Sequence, residues 1–417
     1  MRALAALLCA AVLALFAPAA VADDGSCGVC HGAERVTFDA SIHSSADVGC
    51  VTCHGGDASA VDSKEKAHAA GKGFRGKLGR LDVAETCGTC HADVARMRPF
   101  ALRTDALAAY RESHHGKATF GKKDTEAATC SDCHGVHDVR RVKDPLSPAF
   151  HQNVPSTCAK CHDDAALMKR HGIVSHAVAD YAKSVHGTLL ARGEPGVPSC
   201  ADCHDAHAAS PPGALEVADV CGACHRETRD RFLDSPHFTA SKSGGMHQCI
   251  TCHGNHAVAR PGFQLFDATS DADADADGHG GTRCLTCHDP AKPADKGAAT
   301  AIAFGRGLRD AEAEVKDAAA RVDAVEAKGF HVDAERDALD RARRALIAAL
   351  PLTHTANRSL VERELRIAHS FVSQAEFGCD GMVRQERDRR IFGSVAGAVL
   401  LGIAGVLALR RRIARKG

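Results

Sequence analysis

The sequence predicts a mostly α-helical chain with extensive loops over its first two-thirds, then a C-terminal helical bundle and one transmembrane-length helix. Three observations predict it. A Cys-x-x-Cys-His motif recurs nine times between residues 27 and 288, apolar residues fall at 3-4 spacing between 301 and 377, and an uncharged apolar run fills 391–409.

The nine motifs are Cys27-Gly-Val-Cys30-His31, Cys50-Val-Thr-Cys53-His54, Cys87-Gly-Thr-Cys90-His91, Cys130-Ser-Asp-Cys133-His134, Cys158-Ala-Lys-Cys161-His162, Cys200-Ala-Asp-Cys203-His204, Cys221-Gly-Ala-Cys224-His225, Cys249-Ile-Thr-Cys252-His253 and Cys284-Leu-Thr-Cys287-His288. This is the attachment pattern of c-type haem. The two thiols add across the porphyrin vinyl groups, and the adjacent histidine becomes an axial iron ligand. Disulfides do not require a histidine after every second cysteine. Zinc sites combine one Cys-x-x-Cys with another or with a spaced histidine pair. The motifs use 18 of the 20 cysteines, so nine covalently bound c-type haems are the expectation. Cys9 lies in the leader, and Cys379 reads as a free thiol on a helix.

Residues 27–288 give each motif only about 29 residues, too thin a covering for an ordinary apolar core. The region is therefore predicted to be haem-cored. A repeat organises it. Aromatic-x-x-Ser-x-His occurs four times, ending in His43, His115, His186 and His237. The distance from the preceding motif histidine is 12, 24, 24 and 12 residues, which predicts a 12-residue insertion, about three helical turns, in the middle two modules. Three even-numbered motifs extend to Cys-x-x-Cys-His-x-x-His, giving His137, His207 and His256. A histidine so close to the proximal one cannot reach the far face of the same porphyrin, but it can reach a neighbour. After Cys50–His54 that place holds Asp57, and His68 is the substitute. The parse is four haem pairs plus one. Asp144-Pro145 to Pro148 and Pro211-Pro212-Gly213 mark joints.

Of 26 histidines, nine are proximal, and only five methionines occur, so bis-histidine, low-potential ligation is expected throughout. The distal set is His43, His68, His115, His137, His186, His207, His237, His256 and His354. His354 is assigned to the ninth haem, with His279, His331 and His369 as competitors. His114, His151, His171, His176 and His247 have no repeat support.

Residues 1–22 read as a signal peptide: Arg2, an apolar stretch to Phe16, and Ala20-Val21-Ala22. Residues 23–297 form the haem region and 298–390 an amphipathic helical region. Ile391–Leu409 is a transmembrane helix, at ~28 Å matched to the hydrocarbon core, and 410–417 is a basic tail facing the cytoplasm. Gly393 and Gly397 form a GxxxG pattern, read as tolerance of small residues. Asp273-x-Asp275-x-Asp277-Gly278 imitates an EF-hand start, but position 12 is Cys284, so the run reads as a solvated acidic linker. In the helical region, Leu308–Val325, Leu339–Ala349 and Leu365–Ala375 carry the apolar stripes. Gly329 is expected to end the first helix and Pro351 the second, with the third running into the membrane. Basic and acidic residues balance at 52 each, and haem propionates would make the holoprotein acidic, which excludes nucleic acid as a partner.

The chain resembles the multihaem cytochrome c superfamily, which includes cytochrome c554-like, octahaem and nitrite-reductase-like proteins and the doubled-CXXCH, cytochrome c3-type carriers. The residues that carry the resemblance are Cys221-Gly-Ala-Cys224-His225 with Phe232, Ser235 and His237, and Cys130–His134 with His137, Asp144-Pro145, Asn153, Thr157 and Cys158. The resemblance covers about residues 27–288. It implies either an electron carrier or a reductase. No Cys-x-x-Cys-Lys is present, so the lysine-ligated haem of nitrite reductases is not expected.

The expectation is a periplasmic electron relay of anaerobic respiration, held on the inner membrane. A quinol-oxidising complex would stand upstream and a periplasmic or outer-membrane acceptor downstream. The alternative is an oxidoreductase of nitrite, hydroxylamine or a sulfur compound with one open-site haem. A polymerising cytochrome, and hence a homo-oligomer, is the remaining alternative.

Overall fold

The computed structural model describes residues 25–173, 176–213, 216–244, 246–258, 262–266 and 284–415. The leader, the acidic run and His279 lie outside them. Among the described residues there are helices and loops and no strand. Packing divides the chain into two units. The first runs to Gly213, at the Pro211-Pro212-Gly213 joint, and takes in the later segment His256–Val258; the second holds Ala214–Asn255 and His279–Gly417.

The first unit consists of short helices, most of them four to nine residues long. At that length propensity cannot hold a helix, and local capping does so instead. The Thr129 and Ser199 amides donate to Asp132 and Asp202, each at 2.7 Å, closing capping boxes on the motif helices Cys130–His134 and Cys200–His204. The second x of these Cys-x-x-Cys motifs is thus a capping residue. The 24-residue spacings are not filled by three added helical turns. In each, separate short helices stand in place of one: Val94–Met97 and Ala106–Glu112, then Ala165–Arg170 and Ala177–Lys183. Asp93 and Asp164 cap the first of each pair, starting a new helix where an extension of the old one was expected.

The second unit contains three long helices: α1 (Lys296–Glu326), α2 (Asp333–Leu352) and α3 (Arg358–Ala414). Asp295 caps α1 and Asn357 caps α3. The α1–α2 turn passes through Gly329 at φ 89° and the α2–α3 turn through Ala356 at φ 54°. α2 runs one residue past Pro351. The proline lies in the last turn, where the lost N–H costs one bond near the end, and the chain tightens into the 3-10 turn Thr353–Thr355. Two apolar clusters fill the bundle. Phe304, Leu308, Ala349, Leu352 and Val361 pack at one end, and Val315, Val322, Val332, Leu339, Val372 and Cys379 further along. Cys379 is fully buried there, which removes it from intermolecular disulfide chemistry. Ala342, Ala349 and Ala375 are also fully buried, so the helices approach through small side chains. α3 then continues as one helix through the apolar run, none of which is buried.

Because Ala342 has no room to grow, Ala342→Leu should destabilise the bundle by about 1–3 kcal/mol. Ile347→Ala, on the exposed side of the same helix, should change stability by less than about 0.5 kcal/mol. Denaturant melts of the full chain in detergent compare the two directly.

Candidate metal centres

In each motif the two thiols lie one helical turn apart, which puts both on one side of the chain with the histidine beside them. The serine of the aromatic-x-x-Ser-x-His repeat is an N-cap. Ser41, Ser113, Ser184 and Ser235 are all buried, and each side chain accepts an amide of the helix that bears His43, His115, His186 or His237. The aromatic anchors the same corner. Tyr110 donates its hydroxyl to Ala128 O at 2.8 Å, Tyr181 to Pro198 O at 2.7 Å, and Phe232 is buried. In the two longer modules a glycine follows the histidine. A Cβ on Gly116 would stand 1.8 Å from Tyr110 O, and one on Gly187 2.0 Å from Tyr181 O.

The Cys-x-x-Cys-His-x-x-His segments turn sharply after the proximal histidine. Gly135, Asp205 and Gly254 take φ of 88°, 67° and 72°, which directs the second histidine away from its own motif. Asp205 holds that left-handed turn by accepting the His207 amide at 3.0 Å.

These placements oppose histidine rings in pairs. His31 faces His68, His54 faces His137, His91 faces His43, His134 faces His207 and His162 faces His115. His204 faces His256, His253 faces His354 and His288 faces His237. These eight pairs hold sixteen of the predicted histidines; His186, in the first unit, and His225, in the second, make contacts of their own. Centroid separations run only from 5.9 to 6.2 Å, while interplanar angles run from 20° to 80°. Rings packed in direct contact change separation as they change angle. A constant separation at varying twist is the geometry of a metal between two ring nitrogens, each about 2 Å away, which sets centroids about 6 Å apart. The donor set fits c-type haem: two thiols, the adjacent imidazole, and an opposed imidazole one metal atom away.

One assignment from the sequence is corrected. His354 faces His253 of the eighth motif, not the ninth. The 3-10 turn that carries it packs on the helix Arg226–Leu233. The ninth motif's His288 instead abuts the start of α1, where a Cβ on Gly297 would touch its ring, and faces His237.

The pairs follow an order. A Ser-x-His histidine lies opposite the motif two places ahead of its own (His43 to His91, His115 to His162, His237 to His288). A Cys-x-x-Cys-His-x-x-His histidine lies opposite the motif two places back (His137 to His54, His207 to His134, His256 to His204). Backbone bonds lace the two kinds of segment. Ile42 N donates to Val139 O at 2.8 Å, His114 N to Ala209 O at 3.2 Å, and Val185 N to Val258 O at 2.8 Å. The acceptor in each case is two residues past such a histidine. The fourth Ser-x-His copy has Pro236 in the donor's place.

Cysteine sulfurs mark neighbouring motifs. The thiols of Cys87 and Cys130, Cys158 and Cys200, and Cys221 and Cys249 share hydrogen bonds, which lower the Cys130 and Cys221 thiols to about 7 and raise their partners. In a thioether-linked state these sulfurs carry no proton, and the contacts report adjacency only. Burial raises Cys53, Cys133 and Cys252, and a cysteine of the following motif adds to it: Cys90, Cys158 and Cys284 respectively.

Burial also favours the neutral form, the one that binds metal, in eight of these imidazoles. His43, His91, His115, His134, His162, His237 and His354 are lowered chiefly by desolvation. His253 is pushed down to about 4 by burial, then by His354 and His225. Several rings are oriented through Nδ1, which leaves Nε2 for a metal. His54 meets Gly76 O at 2.9 Å, His204 meets Ser210 O at 3.2 Å and His354 meets Pro351 O at 3.2 Å. His288 Nδ1 donates to Asp295 Oδ1 at 3.0 Å, and Asp295 also caps α1. Asp295 was not marked as a site residue from the sequence; an N-cap aspartate seven residues past the motif was its only signal. The unsupported histidines are engaged at the surface: His151 with Val197 O, His171 with Asp124 and Glu126, His369 with Glu314.

No curated protein and no solved structure matches the chain. Residues 145–226 match the family described as cytochrome c7 and related cytochrome c. That stretch contains the fifth, sixth and seventh motifs and is similar to a cytochrome c7-type multihaem domain, a family that implies electron transfer.

Proposed function

We propose that the chain is a membrane-anchored, extracytoplasmic relay that passes electrons through nine c-type haems, each held by two histidines, and that its setting, by ligand chemistry, is anaerobic respiration.

 The observation that supports this reading is the constant 5.9–6.2 Å between opposed rings. When bound, each haem iron supplies a one-electron couple. The protein's own residues would hold it: the two thiols of each motif would bind it covalently, the opposed imidazoles would ligate its iron, and burial with histidine ligation would favour a low potential. The exposed apolar length of α3 supports the anchor, since so long an uncharged surface needs lipid around it. The reductase alternative needs an open position at the ninth motif, and His237 stands opposite His288 there.

The test is the spectrum of the oxidised holoprotein. Nine haems per chain by pyridine haemochromogen and only low-spin signals by magnetic circular dichroism are expected. A stoichiometric high-spin haem overturns the relay in favour of an enzyme.

His354→Gly should convert one low-spin haem to high-spin, and added imidazole should restore it. His369→Gly, whose ring meets only Glu314 at the surface, should leave the spectrum unchanged.

Ring twist divides the sites further. His134/His207, His204/His256 and His253/His354 lie within 20–23° of parallel, whereas His31/His68, His43/His91, His115/His162 and His237/His288 are 55–80° apart. Near-parallel imidazoles give rhombic low-spin EPR signals, and strongly crossed ones give highly anisotropic signals. Both classes should be present in the oxidised protein, and a single class would contradict the ring geometry.

A further inference from the structure

Two of the opposed pairs in the second unit sit at one end of the helical bundle. His288 is tied to Asp295, the cap of α1, and His354 lies four residues before α3 begins. The bundle runs up, down and up, so the starts of α1 and α3 and the end of α2 share that end. The cluster of Phe304, Leu308, Ala349, Leu352 and Val361 fills it. The opposite end carries the α1–α2 turn. There Lys328 pairs with Glu386 at 3.8 Å, and Gly329 and Phe330 line a shallow cavity with Arg389 and Arg390. Arg390 is the last residue before the apolar run. The bundle therefore fills the whole interval between the two histidine pairs and the first apolar turn. Thirty-three residues of unbroken helix separate Arg358 from Ile391, about 50 Å at 1.5 Å per residue. The 31 residues of α1 span about 46 Å beside it.

We propose that the three helices are a spacer holding the sites at His253/His354 and His237/His288 about 50 Å from the bilayer, so that the redox partner at this end is an extramembrane protein domain and not a quinol dissolved in lipid. This rests on reading Ile391–Leu409 as a membrane span and the histidine pairs as haem ligands. Electron tunnelling falls off exponentially with distance, and among the described residues no Cys-x-x-Cys-His motif lies along the bundle, whose buried side chains are aliphatic apart from Phe304, Glu335 and the Cys379 thiol. Packing on two neighbouring helices keeps α3 from folding down.

The test uses the full-length holoprotein in lipid nanodiscs. Cryo-electron microscopy measures the height of the iron between His253 and His354 above the phosphate plane. About 50 Å is expected, and less than half of that overturns the spacer. In the same discs, a long-tailed quinol confined to the lipid should leave the haem absorption oxidised while its short-tailed, water-soluble analogue reduces it. Equal reduction by both overturns the proposed partner. A holoprotein that does not enter the discs overturns the spacer while its low-spin spectrum leaves the electron-relay reading standing. A high-spin spectrum with the iron at full height removes the relay reading and leaves the spacer.

Discussion

The fold depends on holding two imidazoles opposite each other at one fixed separation. On the proposed ligation a metal between them sets that distance but leaves their twist free, a combination that the eight ring pairs match. With about 29 residues per motif, no apolar core is available to position the rings. Local devices do so instead. Buried serine caps aim one set of histidines, left-handed turns aim the other, and glycines admit the chain where it passes against the Tyr110 and Tyr181 carbonyls. Each device acts within a few residues, so the repeat carries its own instructions.

The order of pairing explains the places where the repeat fails. Histidines of one kind reach two motifs forward and those of the other kind reach two motifs back. The second motif's histidine would have to reach back past the first motif of the repeat, and Asp57 stands in its place. The rings opposite the first and eighth motifs come from neither kind of segment. Those two sites are filled from outside the repeat, by His68 and His354. The lacing ends in the same way. At the fourth Ser-x-His copy Pro236 has no N–H to give, and the bond that laces the three earlier copies is not made there.

Much of this was legible because the controlling signals are short. Cys-x-x-Cys-His, Ser-x-His and the 3-4 spacing of the bundle are each read within a turn or two, and Gly329 and Asn357 punctuate the helices as their chemistry requires. What could not be read was which ring meets which. His354 was set against the ninth motif because it follows that motif in the chain, but sequence proximity says nothing about a turn that packs on the helix Arg226–Leu233. The middle modules were misjudged for a related reason. Twelve extra residues have a helical length, yet Asp93 and Asp164 start new helices within them. Asp295 went unnoticed because an N-cap has the same appearance whether or not it also orients a histidine.

On the proposed ligation, the sites also supply the stability that the missing core cannot. The thioethers and the proximal histidine belong to one short segment, so closing the distal bond cross-links that segment to another. The bridged residues lie from 37 apart (31 to 68) to 101 apart (253 to 354). In the chain-entropy picture, a cross-link spanning about 100 residues removes about 4–5 kcal/mol of unfolded-state freedom. The longest of these links joins the eighth motif to the start of α3. The bundle and the motifs of the second unit are then one cooperative body, and a force or displacement along α3 reaches an axial ligand directly. A tether that merely trailed the cytochrome would need no histidine at its root. On the proposed anchoring and ligation, His354, four residues before α3, ties the anchor helix to the redox site it carries.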